Sequence, residues 1–130
     1  GATLSIGSAS VLTLDLPHNP TSTRRAQNVG YLILVDGVRV LHVGDADPNA
    51  DRIGAAQGTA PRADVAIVPF WYLTPRQPEL LRAIGAARYL AAHIPLADTT
   101  AVKRQISVSP TVTALATRGA SVPVFPRPAR

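Results

Sequence analysis

The sequence predicts an α/β domain built on a mixed β-sheet with helices on one face. Three observations predict it. Apolar residues alternate at Leu4 and Ile6 and again over residues 11–16, the period of two that marks strands. Residues 28–45, NVGYLILVDGVRVLHVGD, read as two apolar strands joined at Asp36-Gly37, a pair that tolerates the positive φ of a tight hairpin turn. Residues 64–94 then read as strand, helix, strand. A crossover of that length is right-handed and joins parallel strands.

Each element has its own warrant. The first two strands, 4–6 and 11–16, form a meander that Pro17 stops, and residues 18–23, HNPTST, form a loop. After the hairpin, Asp47-Pro48-Asn49 starts a short helix through residues 51–56, ended by Gly58. Residues 64–69, DVAIVP, are almost wholly apolar, as in strands buried on both faces. Thr74-Pro75 supplies an N-cap and a first-turn proline for a helix over 76–85, with Leu80, Leu81 and Ile84 as its buried stripe. The strand 89–94, YLAAHI, is stopped by Pro95. A helix over 99–106, capped by Asp98, and a final strand near 121–125 follow, with Pro123, Pro126 and Pro128 confining the tail to a sheet edge.

Composition narrows the function. A chain of 130 residues is one domain that buries about two-thirds of its unfolded surface. Hydrophobic residues make up 46% and aromatics only 5%, so the core is built from Val, Ile, Leu and Ala. No apolar run approaches the ~20 residues of a membrane span and no secretory pattern opens the chain, so a cytoplasmic protein is expected, with no membrane partner. Cysteine is absent, which excludes disulfides and thiolate metal sites. Methionine is absent as well, and Gly1-Ala2 is expected to be what a cleavage left behind.

Basic residues outnumber acidic ones 13 to 8, and all but Lys103 are arginine. A positive field attracts anions without choosing among them. Nucleic acid is not favoured as a partner, because the arginines are scattered and only Arg24-Arg25 and Lys103-Arg104 are adjacent. A small anionic substrate is the better reading.

The chemistry gathers at strand exits. His18 follows the second strand, Asp45 ends the hairpin beside Gly44, and His93 ends the strand before Pro95. In one sheet these exits are adjacent, where open α/β sheets bind ligands. Two imidazoles and a carboxylate suit zinc or another first-row divalent ion. Singly, each has an ordinary role: a solvated loop histidine, a backbone-bonded strand histidine, a turn cap. His42, three residues before Asp45, reads as a structural histidine.

The pattern HNP…NVGYLILVDGVRVLHVGDAD…ADVAIVPF…ARYLAAHIP resembles the C-terminal half of the metallo-β-lactamase superfamily, especially its phosphodiesterase-rich branch. The resemblance runs from about Val11 to Pro95. It implies that His18 is the third-motif histidine, Asp45 the metal-bridging aspartate and His93 the final histidine ligand. The superfamily's first metal motif, His-x-His-x-Asp-His, is nowhere in this sequence. His18 and Asp45 then remain for one metal, and Asp45 and His93 for the other. Residues 1–130 are thus expected to be a single truncated domain, half of a four-layer αββα sandwich, with one sheet face bare.

Bare apolar faces are normally covered, and a homodimer would rebuild the sandwich by a two-fold interface. The implied reaction is hydrolysis of phosphate diesters, cyclic nucleotides among them, with zinc or manganese as cofactor. Asp47 is a spare carboxylate, as ligand or base, or else a cap beside Pro48. Arg24 and Arg25 would meet phosphoryl charge, and Trp71-Tyr72 would stack a base or pack as core. The competing readings are a catalytically inactive remnant and one polypeptide of a split metallo-hydrolase.

Overall fold

In the computed structural model, which describes residues 1–18, 26–74, 77–106, 111–119 and 121–124, seven strands form one sheet whose spatial order follows the chain. They are β1 (Thr3–Ile6), β2 (Ala9–Leu14), β3 (Gly30–Val35), β4 (Val38–His42), β5 (Val65–Pro69), β6 (Arg88–Ala92) and β7 (Val112–Ala114). The first four pair antiparallel; β4 through β7 pair parallel. The sheet is mixed, as expected. At the β3–β4 turn Asp36 has φ 49° and Gly37 φ 77°, the two positive values a type I′ hairpin needs.

Three helices fill the parallel crossovers: α1 (Ala50–Gln57), α2 (Pro78–Ile84) and α3 (Thr99–Ile106). Successive right-handed crossovers advancing in one direction put all three on the same face. Packing agrees. Leu12, Leu32, Leu41, Ala66, Tyr89 and Val112 are register partners across six strands. They belong to one cluster with Ile53 of α1, Leu80 and Ile84 of α2, and Val102 and Ile106 of α3. Leu81 is only half-buried at the margin of that cluster.

The opposite face carries Leu4, Val11, Ile33, Val40 and Val65 in register, and no helix covers it. Leu4 is 53% exposed, Ile6 66% and Tyr31 39%. That face is open at β1–β3, whereas Val65 is 1% exposed and Leu90 8%, so it is covered toward β5 and β6.

Several boundaries differ from expectation. Helix α2 starts at Pro78, not at residue 76. Phe70–Leu73 form a 3₁₀ turn directly after β5, and Thr74 ends that turn in an extended conformation instead of capping α2. Pro78 takes the first-turn position, where a missing N–H costs nothing. Pro75 would suit the same role, and it lies with Arg76 outside the described residues. Asp98 belongs to a 3₁₀ turn, Leu96–Asp98, that runs straight into α3. The seventh strand is Val112–Ala114, not 121–125. β-Branched residues occupy 111–113 and suit a ladder; residues 121–124 are irregular, and Phe125 lies outside the described residues.

Candidate functional site

Strand polarity decides what meets. β2 and β4 run in the same direction because each is antiparallel to β3, and β5 and β6 run parallel to β4. The chain therefore leaves β2, β4, β5 and β6 at one edge of the sheet. His18, Asp45, Trp71 and His93 follow those four exits.

Beyond β2 the chain keeps to β4's continuation. His18 bridges Ala46 in antiparallel fashion, and the Asp47 N–H donates to the Pro17 carbonyl at 2.9 Å. That pairing brings His18 Nε2 to 3.9 Å from Asp45 Oδ2. His93, just past β6, has φ 57°, a left-handed backbone uncommon for a residue with a Cβ. Its Nε2 stands 3.1 Å from Asp45 Oδ1. The carboxylate thus offers one oxygen to each imidazole. Such backbone strain, about 1–3 kcal/mol, persists where surrounding structure over-determines it and clusters at functional sites.

Gly44 makes this delivery possible. Its φ is 63°, and a Cβ there would lie 2.2 Å from Asn28 Oδ1, so any side chain would be both strained and obstructed. His42 Nδ1 accepts the Gly44 N–H at 3.0 Å, which requires that nitrogen unprotonated. Burial lowers the His42 pKa, nearby His93 lowers it further, and Asp45 opposes both.

Of the two roles open to Tyr72, stacking a base or packing as core, the structure gives the second: it is 0% exposed, so neither ring face can meet a ligand. Its hydroxyl donates to the carbonyls of Ala46 at 2.8 Å and Asp47 at 3.1 Å. Burial raises the phenol pKa strongly, with Asp47 and then Asp45 adding to the rise, and the group remains a donor. Trp71 is half-buried, edge-on to His93 with ring centroids 5.8 Å apart and also edge-on to Phe70. Its buried Nε1 has no hydrogen-bond partner among the described residues. Asp47 is half-buried, its backbone held at both ends by Pro17 and Tyr72. Arg24 and Arg25 lie outside the described residues.

The donors suit a divalent ion in kind. Asp45 Oδ1 is buried without a hydrogen-bond partner although His93 Nε2 is 3.1 Å away, an approach without the alignment of a shared proton. Their number is short. Among the described residues, no group of three or more His, Asp or Glu side chains is set to hold an ion. What the structure brings together is two pairs, each an imidazole and one Asp45 oxygen.

Two supports escaped the sequence reading, the Tyr72 hydroxyl and the Asn28 carboxamide, which bonds Leu16, Val43 and Asp45. Asn28 carried one signal, a polar residue opening an otherwise apolar strand; Tyr72 carried none.

No family model matches the sequence, and no curated protein matches it. Among solved structures, the CmlA β-hydroxylase E377D mutant is similar with TM-score 0.64 and 14% identity, covering 88% of this chain and 31% of that one. CmlA, a diiron β-hydroxylase from Streptomyces venezuelae, gives 0.52 and 17%, covering 73% and 24%. The metallo-β-lactamase fold protein YhfI from Bacillus subtilis gives 0.53 and 14%, covering 87% and 49%. These likenesses establish the fold. The mixed sheet with helices on one face matches part of a metallo-β-lactamase-type sandwich. This chain spans less than half the length of any of the three.

Proposed function

We propose that this chain carries the C-terminal portion of a metal-dependent hydrolase that cleaves phosphate diesters, small cyclic nucleotides among them. One observation carries the reading: the Asp45 carboxylate turns its two oxygens to His18 and His93 at the sheet's C-terminal edge. The structural neighbours add support, since one is a metallo-β-lactamase fold protein and another a diiron β-hydroxylase. Mixed imidazole and carboxylate donors suit zinc and manganese. The excess of 13 basic over 8 acidic residues favours an anionic substrate.

A divalent ion at Asp45 would lower the pKa of water and draw charge from a phosphoryl oxygen. The chain's own groups do the rest. His18 and His93 would supply nitrogen donors to such an ion, and Asp45 a carboxylate oxygen beside each. Asp47, two residues on, is assigned to accept the proton of the attacking water. Arg24 and Arg25 are assigned to phosphoryl oxygens and Trp71 to a base or other flat leaving group.

Each pair has two protein donors, fewer than the three that catalytic zinc sites use. A second copy of this chain, docked through the uncovered sheet face, is proposed to complete the sandwich and the sites. Its open part is apolar from Leu4 through Val11 and Ile33 to Val40, and faces of this kind mark contacts.

The test uses the whole chain, stripped with chelator and then given zinc, manganese or iron(II). Expected are retained metal after desalting and hydrolysis of bis(p-nitrophenyl) phosphate or a cyclic nucleotide. No retained ion and no hydrolysis with any of the three would leave the inactive-remnant reading in its place.

A further inference from the structure

We propose that Asn28 is a positioning residue that locks Asp45 against the segment carrying His18, a role that rests on the metal-site reading above. The half-buried Asn28 stands just ahead of β3. Its amide nitrogen donates to the Leu16 carbonyl at 2.8 Å and the Val43 carbonyl at 3.0 Å. Its Oδ1 accepts the Asp45 N–H at 2.9 Å. One planar group thus spans two chain exits that are not neighbours in sequence.

Each bond has a consequence at the site. Leu16 lies two residues before His18, so fixing its carbonyl fixes where the imidazole starts. Val43 and Asp45 flank Gly44, so the pair of bonds pins the turn that presents the carboxylate. Only a carboxamide offers two donors and an acceptor in this fork. Aspartate has nearly the same shape, yet it would set a negative oxygen against two carbonyls. The close approach of Gly44 follows from the same contact: a Cβ there would fall on Asn28 Oδ1. The His18–Ala46 bridge and the Asp47–Pro17 bond tie the same two exits together through the backbone, and the Asn28 fork adds a side-chain tie between them.

The experiment compares wild type, Asn28→Ala, Asn28→Asp and Ile84→Ala, the last a core change on α2 that destabilises the fold without touching the bracket. Zinc and manganese affinities are read by calorimetry. The exchange of the Asp45 amide hydrogen is read by NMR in metal-free protein. Both Asn28 variants are expected to bind metal about 10–100-fold more weakly and Asn28→Ala to lose Asp45 amide protection, while Ile84→Ala keeps both. Wild-type affinity in Asn28→Ala, or an equal loss in Ile84→Ala, would overturn the positioning role. A wild type that takes up neither metal would instead sink the metal-site reading. The bracket is then judged on exchange alone, and unchanged Asp45 protection in Asn28→Ala overturns it.

Discussion

Tyr72 never meets solvent, yet its hydroxyl holds the two carbonyls that follow Asp45. Removing that oxygen takes a donor from the fully buried Ala46 carbonyl, while the Asp47 carbonyl keeps the Asn49 N–H at 2.7 Å. Tyr72→Phe is therefore expected to cost about 1–3 kcal/mol, read as a shifted denaturation midpoint; a change within experimental scatter would contradict the pillar role. At this scale the sequence shows which side chains meet at the sheet edge and hides what supports them. His18, Asp45 and His93 were legible because each follows a strand stop. Tyr72 was not: an aromatic after a strand looks the same whether it faces a ligand or the core. The Asn28 bonds cross 12, 15 and 17 residues of sequence, a distance local pattern cannot span.

Elements were largely legible because hydrophobic period and turn chemistry agree locally. The Asp36-Gly37 hairpin, the helix after Pro48 and the strand–helix–strand unit all follow from such agreement. Misplaced boundaries have equally local causes. Two prolines compete for one helix start, and a proline-rich tail drew the last strand away from residues 112–114. Helix α1 shows what a correctly read start is worth. Asn49 caps it by accepting the Arg52 N–H at 2.9 Å. Asn49→Ala should destabilise the chain by about 0.5–2 kcal/mol, with an Asn49→Asp variant retaining most of the stability. Equal stability of wild type and the alanine variant would show that the cap contributes nothing.

For the molecule as a whole, the decisive feature is the sheet face that, among the described residues, stays open at β1–β3. The account predicts a homodimer in solution, twice the 13.6 kDa of one chain by light scattering. Leu4→Lys with Ile6→Lys, at positions 53% and 66% exposed, should give folded monomers. A wild type that remains monomeric while circular dichroism shows it folded would contradict self-association. The mixed sheet with helices on one face was legible from residues 11–95; what lies over the other face is not encoded in any local pattern. Beneath all of this lies the claim that one carboxylate joins two imidazoles around a divalent ion. Calorimetric titration of zinc or manganese into wild type and Asp45→Ala tests it most directly. Saturable binding in wild type that disappears in the variant is the predicted result, and binding that survives the loss of Asp45 unchanged would contradict it.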